Sequence, residues 1–291
     1  MIGTIRNPRA VSTVAESFGL AARRARERGN RSVERELRGE RAFSEPGYTE
    51  NLLEDLDLSI RTELDRIEID GLRVVSTGFN FPVRDETEYG ADIGVRVDIE
   101  TPGYVVSKAL LFQCKRRYAD NGFPEIRGRG EDQAKNMLSV TPASFFLLFN
   151  SGTQRELAEL AWGSLHRSAE WFWGRPWHEF EAGGSAFDLG IAVIPASRIL
   201  GLSNGAGFLD QTRLPTDPST ILSGAVPFGI FMADMVCSCL VGDPRPMVVQ
   251  LVTPPKDARA AADEVGASFF DFHIQRYMHI RLFGVARDTA F

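Results

Sequence analysis

Three polar residues on two neighbouring segments of this 291-residue chain have the types and spacing for metal-assisted chemistry. Asp92 opens a segment that alternates apolar and polar residues, and the next such segment ends in Gln113-Cys114-Lys115. Because side chains alternate along a strand, Gln113 and Lys115 share one face, about 7 Å apart. A carboxylate and an amide oxygen can hold a hard divalent cation, and a lysine can orient water or offset phosphate charge. These residues therefore indicate phosphodiester hydrolysis.

The pattern around them predicts a mixed sheet flanked by helices. One helix is predicted over 13–38, and a second, capped by Thr49, runs from Glu50 to about Ile67 on an apolar stripe with helical spacing. Further helices are predicted over 131–138 and 228–241, and residues 201–220 are predicted to be loop. Strands are predicted over 72–79, 92–99, 105–115, 144–150, 190–195 and 270–282. The first three strands are expected to form a meander, and the whole order is typical of an α/β protein.

The order of the polar residues resembles that of the PD-(D/E)XK nuclease superfamily. The matching residues are Glu50 in a helix, Gly90-Ala91-Asp92 at a strand start, Gln113-Cys114-Lys115 at the next strand end, and Gln133 in the helix that follows. The Gln-x-Lys form is similar to the Mrr-like restriction endonucleases. The resemblance covers residues 45–150 and implies a restriction-endonuclease-like fold. The chain departs from the pattern in two places: Gln113 replaces the usual second acid, and Ala91 replaces a proline.

The resemblance implies a role for each matching residue. Asp92, the side-chain carbonyl of Gln113 and the backbone carbonyl of Cys114 are expected to bind Mg²⁺ or Mn²⁺, with Glu50 contributing directly or through water. Lys115 is expected to position the attacking water, and Gln133 is an additional candidate for the catalytic site. Two alternatives stay open, Glu54 in place of Glu50 and Asp98 in place of Asp92. The cations expected to grip a nucleic-acid backbone are Arg116, Arg117, Arg127, Arg129 and Lys135.

Charge divides the chain unevenly and suggests three segments. Residues 1–41 hold ten arginines against five glutamates, a net charge of +5, although the whole chain has a net charge of −6. We expect residues 1–43 to be an arginine-rich helical extension, 44–155 the nuclease core, and 156–291 an α+β elaboration packed on that core. The basic helix is either a solvated charged helix or an arm that contacts phosphates or an acidic partner protomer.

Composition limits the setting. Three cysteines do not make a disulfide framework, and the Cys237-Ser238-Cys239 spacing lacks the partners of a zinc site. The first residues lack the apolar core of a signal peptide, and no apolar stretch is long enough to span a bilayer, so a cytoplasmic location is expected. The resemblance to Mrr-like restriction endonucleases implies a DNA endonuclease of restriction or anti-phage defence, alone, as a homo-oligomer or with a partner protein. The alternative is a non-catalytic nucleic-acid-binding or structural subunit on the same fold.

Overall fold

The computed structural model describes eleven ranges of the chain. These ranges are 8–41, 44–63, 72–80, 89–101, 104–119, 122–126, 128–162, 184–203, 217–233, 241–253 and 276–284. The helices within them are α1 (Pro8–Leu37), α2 (Glu45–Glu63), α3 (Arg129–Val140), α4 (Gln154–Trp162), α5 (Ala196–Ser203), α6 (Pro218–Leu222), α7 (Phe228–Ile230) and α8 (Pro246–Leu251). The strands are β1 (Leu72–Asn80), β2 (Ile93–Thr101), β3 (Tyr104–Arg116), β4 (Ser144–Phe149), β5 (Ile191–Pro195), β6 (Val226–Pro227) and β7 (Arg276–Gly284). Short 3₁₀ turns cover Pro124–Ile126 and Ser185–Phe187.

These strands form one mixed sheet of seven strands in the order β1-β7-β2-β3-β4-β5-β6. Strand β7 is antiparallel to β1 and parallel to β2, whereas β3 is antiparallel to β2 and parallel to β4. Strands β5 and β6 extend the sheet with antiparallel pairs. The predicted mixed sheet flanked by helices is therefore confirmed.

The predicted meander of the first three strands is wrong, because β7 lies between β1 and β2. Val95 of β2 pairs with Met278 of β7 rather than with a residue of β1. Met278, Ile280 and Leu282 all enter the same buried cluster as Val95, so the predicted apolar face of the late strand is correct. Alternation identifies a strand and its buried face, but it does not identify the strand's neighbours.

Helices α1 and α2 cover one face of the sheet. Val14, Phe18 and Ala25 of α1 are buried in the cluster that also contains Val95. Gly19 permits the close packing, because a Cβ atom at that position would overlap the backbone of Ser185. The arginine-rich helix is therefore part of the folded core.

The opposite face of the sheet is covered by α3, α4, α5, α6 and α8. Their apolar side chains form a second buried cluster with Ala109 and Leu111 of β3. Residues from all three predicted segments contribute to the two clusters, and the third segment supplies an interior strand of the sheet. Residues of all three predicted segments therefore meet in the first cluster, and residues of the second and third segments meet in the other.

Some element boundaries differ from the prediction for local reasons. Helix α2 begins at Glu45, because Ser44 caps it: the Ser44 hydroxyl accepts from Gly47 N at 3.4 Å, and Ser44 O accepts from Tyr48 N at 3.1 Å. The following proline fits a first helical turn, where no N–H is needed. Part of the predicted loop is helical, since α5 reaches Ser203 and α6 begins at Pro218. The predictions for residues 64–67, 204–216, 234–240 and 270–275 lie outside the described ranges.

Candidate active site

Asp92 lies where β2 begins, directly opposite the end of β3. Its backbone N–H donates to Phe112 O at 2.9 Å, and Ile93, the next residue, is the first residue of β2 to pair with β3. On the β2 side of β3, the Cys114 backbone N–H therefore meets the Asp92 carboxylate, whereas on the other side Cys114 pairs with Leu147 of β4. Sheet pairing brings the carboxylate against the segment that ends in Lys115.

The Asp92 carboxylate, the Gln113 amide and the Cys114 backbone meet at this edge. Asp92 Oδ2 accepts from Cys114 N at 2.8 Å and from Gln113 Nε2 at 2.6 Å. Gln113 Nε2 also donates to Cys114 O, at 3.3 Å. Gln113 Oε1 is buried, and no donor among the described residues contacts it. The Gln113 amide nitrogen thus donates to two oxygens, whereas the Gln113 amide oxygen accepts no hydrogen bond from the described residues.

This amide gives a test of whether the residues fit a divalent cation. The oxygen and nitrogen of an amide have nearly the same shape, so a half-turn of the Gln113 amide exchanges them. After that turn Gln113 Oε1 would face Asp92 Oδ2 and Cys114 O, and three oxygens would face one point. Oxygen ligands are what Mg²⁺ and Mn²⁺ prefer. The described residues contain no group of three or more His, Cys, Asp or Glu side chains that could hold a metal, so neutral oxygens must complete the set. Asp92, Gln113 with its amide turned, and the Cys114 carbonyl therefore fit Mg²⁺ or Mn²⁺.

Burial dominates the electrostatics of Asp92. It raises the pKa of the carboxyl above its usual value, and the Cys114 N–H and the Lys115 charge offset this only partly. The charge of Glu125 raises the pKa of Asp92 further. An ionised carboxylate here is costly, and a bound cation would relieve that cost.

Lys115 is buried at the same edge, with a carboxylate that the sequence analysis missed. The side chain of Lys115 is only 2% exposed, and its Nζ lies 3.8 Å from Glu125 Oε2. Glu125 comes from the 3₁₀ turn after β3, and its Oε1 accepts from the Tyr118 hydroxyl at 2.8 Å. Glu125 was missed because a glutamate in a polar loop has the sequence pattern of a solvated residue. The one available signal was its position just after the Gln-x-Lys strand.

Helix α3 packs against the turn that leads to Asp92. Gly90 has a φ of 68°, and a Cβ atom there would lie 2.8 Å from the Cα of Gln133. A side chain at position 90 would therefore push α3 away from the turn. The close approach of Gln133 to Gly90 places Gln133 beside the candidate site. The Gln133 Oε1 atom is buried and accepts no hydrogen bond in the described part of the chain.

The two acid alternatives differ in where the structure puts them. Helix α2 reaches the same end of the sheet but on the face opposite to the Gln113 and Lys115 side chains, since the ring of Tyr48 lies 5.4 Å from that of Phe149 in the cluster that α1 covers. Glu50 follows in the same helix, but its side chain lies outside the described residues. Glu54 is exposed on α2. Asp98 is not near Gln113 or Lys115: it is towards the far end of β2, opposite Ser107 of β3, and contacts His279.

The predicted nucleic-acid contacts fall into two groups. Arg116 is bound within the chain, with Nη1 2.6 Å from Glu36 Oε1 and its guanidinium 3.7 Å from the Tyr118 ring centroid. Arg117 is partly buried, and its Nη1 donates to Ser151 O at 3.2 Å. The other two described cations, Arg129 and Lys135, are exposed on α3, and Lys135 Nζ lies 3.1 Å from Asp132 Oδ1 on the same helix. Arg127 lies outside the described ranges.

The fold is thus a mixed α/β sheet covered by helices on both faces, with a polar site where β2 begins and β3 ends. No family model, no curated protein and no solved structure matches this chain. None of the helices in the described ranges is long and apolar enough to cross a membrane.

Proposed function

We propose that the protein is a Mg²⁺- or Mn²⁺-dependent endonuclease that hydrolyses phosphodiester bonds in DNA. The single observation that carries the proposal is the convergence of Asp92, Gln113 and the Cys114 carbonyl beside the buried amine of Lys115. The choice of DNA, the restriction-endonuclease-like fold and the role in restriction or anti-phage defence rest on the resemblance of the motif to Mrr-like restriction endonucleases.

The proposed site divides the work among its residues. Asp92, the Gln113 oxygen and the Cys114 carbonyl would hold the cation, with Glu50 as a further oxygen donor. When bound, the ion supplies positive charge to the scissile phosphate and lowers the pKa of a bound water. Lys115 orients the attacking water and stabilises the negative charge that develops on the phosphate.

In the reaction, the water oxygen bonds to phosphorus, one ester P–O bond breaks, and the departing oxygen takes up a proton. Arg129 and Lys135, exposed on α3, contact the flanking phosphates, which gives affinity without sequence information.

The second candidate is a protein that binds DNA or a partner without cutting. Two observations favour it: Gln113 is a weaker ligand than an acid, and the Lys115 side chain is almost fully covered. In that case the hydrogen bond from Gln113 to Asp92 is purely structural.

A plasmid-nicking assay with matched lysine variants separates the candidates. Lys115→Ala is expected to lower the nicking rate at least about 100-fold in Mg²⁺ or Mn²⁺, because it removes charge stabilisation in the transition state. Lys108→Ala is the control, since Lys108 is on the same strand and is also buried, but on the opposite face. We expect it to cut at the parental rate once its melting curve shows a folded protein.

Two results would contradict the proposal. Undiminished nicking by Lys115→Ala would remove Lys115 from the mechanism. A parental protein that shifts DNA in a gel but does not nick it in either ion would favour the binding protein.

A further inference from the structure

The active-site lysine is held by a second carboxylate, outside the Gln-x-Lys motif. Glu125 Oε2 lies 3.8 Å from Lys115 Nζ. The Glu125 side chain is 39% exposed, whereas that of Lys115 is 2% exposed, so solvent reaches the glutamate but hardly reaches the lysine.

The position of Glu125 is fixed by contacts on both sides. Its Oε1 accepts from the Tyr118 hydroxyl at 2.8 Å, and Tyr118 is in turn fixed by a backbone hydrogen bond to Gly122 O of 2.8 Å. The next residue, Ile126, is fully buried. Burial, and then the hydrogen bond to Glu125, raise the pKa of the Tyr118 phenol, so it stays a proton donor near neutral pH. The carboxylate is thus preorganised.

A buried ammonium on a flexible stem needs such a partner. A lysine side chain has four rotatable carbons, and its charge is costly to bury unless a counter-charge lies close by. Glu125 is such a counter-charge, with its Oε2 3.8 Å from Lys115 Nζ. Gln113 carries no charge, so Glu125 supplies the second negative charge that an acid at position 113 would otherwise provide.

We propose that Glu125 is a positioning residue that fixes the Lys115 ammonium for the hydrolytic step, with Tyr118 holding the Glu125 carboxylate in place. This inference rests on the proposed nuclease function. Glu125 acts through Lys115 and is not assigned as a ligand of the cation.

The experiment compares Glu125→Gln, Glu125→Asp and Tyr118→Phe with the parental protein. Glu125→Gln is expected to lower kcat for plasmid nicking by about 10- to 100-fold, because the counter-charge 3.8 Å from the ammonium is lost, while KM stays within about twofold. Glu125→Asp should recover part of the loss, and Tyr118→Phe should cause a smaller loss. Mn²⁺ affinity, measured by electron paramagnetic resonance, should not change. Glu159→Gln is the control, since Glu159 pairs with Arg155 at 3.1 Å on the surface of α4.

A second measurement does not depend on cleavage. Acetic anhydride acylates amines that can move into solvent, and mass spectrometry gives the extent for Lys115 relative to Lys108 in the same molecule. Glu125→Gln keeps the shape of the side chain but no longer holds the Lys115 amine in place, so the Lys115 to Lys108 ratio should rise several-fold. Glu159→Gln should leave the ratio unchanged.

The outcomes separate this inference from the proposed function. An unchanged labelling ratio in Glu125→Gln overturns the inference, whatever the nicking result. Parental kcat in Glu125→Gln also overturns it while the nuclease proposal stands, and a fall in Mn²⁺ affinity that parallels kcat makes Glu125 a ligand instead. A parental protein that does not nick removes the proposed function, and this inference with it.

Discussion

Two acidic residues at opposite ends of strand β2, Asp92 and Asp98, have opposite surroundings. Asp98 Oδ1 accepts from Arg96 Nε at 3.0 Å, and its Oδ2 lies 2.6 Å from His279 Nε2. Burial alone would raise the pKa of Asp98, but hydrogen bonds from Arg96, Ser107 and His279 lower it below its usual value.

Asp92 accepts hydrogen bonds from the Gln113 amide and from the Cys114 backbone N–H. The charge of Lys115, which also pairs with Glu125, acts on it too, and the pKa of Asp92 is nevertheless raised. The difference shows what each carboxylate contributes. At Asp98, cations and donors stabilise the charged form, so the charge contributes to folding. At Asp92 the charged form is disfavoured by the fold, which is typical of groups kept for chemistry or for a ligand. Three predictions test this contrast, in addition to the lysine variants above.

The largest effect is expected from exchanging each acid for its amide. Asp92→Asn should lower nicking at least about 100-fold, because a ligand charge is lost, with no loss in the free energy of unfolding at neutral pH. Asp98→Asn should keep nicking but lose about 2 kcal/mol of stability, because Arg96 loses its counter-charge and His279 loses a carboxylate hydrogen-bond partner. Nicking rates and urea unfolding curves measure both. The contrast fails if Asp98→Asn stops cleavage or if Asp92→Asn unfolds as easily as Asp98→Asn.

Restoring an acid at position 113 should make stability depend on the cation. In Gln113→Glu the carboxylates at positions 92 and 113 face one another. Without divalent ions the Tm of this variant should therefore fall several degrees below the parental value. Saturating Mn²⁺ should raise the Tm of this variant more than that of the parental protein, because ligand binding stabilises the folded state. Gln250→Glu, at an exposed position on α8, is the control and should show neither change. If Mn²⁺ leaves the Tm of Gln113→Glu unchanged, no cation binds beside position 113.

The smallest effect is a difference in the pH dependence of stability. Because the pKa of Asp92 is raised, this group adds to the free energy of unfolding below the usual carboxyl pKa, and the contribution is lost as pH rises through the folded-state pKa. Because the pKa of Asp98 is lowered, this group adds to the free energy of unfolding above its usual pKa, and the contribution is lost as pH falls through the folded-state pKa.

Asp92→Asn should therefore gain stability relative to the parental protein as pH rises from acid to neutral. Asp98→Asn should approach the parental stability as pH falls into the acid range. Unfolding curves at a series of pH values provide the measurement, and parallel curves for the two variants would contradict the assignment.

The sequence predicted the strands around the site well. Strands β2, β3 and β4 lie within about two residues of their predicted bounds, because alternation and buried apolar runs are strong signals. The juxtaposition of Asp92 with Gln113 follows from that local pairing, since the two residues are 21 apart in the chain. Local signals thus sufficed for this part of the candidate site.

Long-range relations could not be read from local patterns. Nothing in residues 276–284 signals that β7 separates β1 from β2, and the contact of His279 with Asp98 joins residues 181 apart. Glu125 and Tyr118 lie in a loop whose course no periodicity describes. The packing of α1 was also hidden, because the small residue Ala25 is buried there with arginines close by.

The interior place of β7 has a consequence for how the protein forms. As the polypeptide is synthesised, β1 and β2 emerge early, but the strand that joins them is made after every other strand described. Until then both strands have open edges, and the Asp92 end of the sheet lacks its neighbour Arg276. The slow, non-local closure that such a topology imposes delays completion of the sheet around Asp92. A nascent or C-terminally shortened chain would therefore lack the strand that joins β1 to β2.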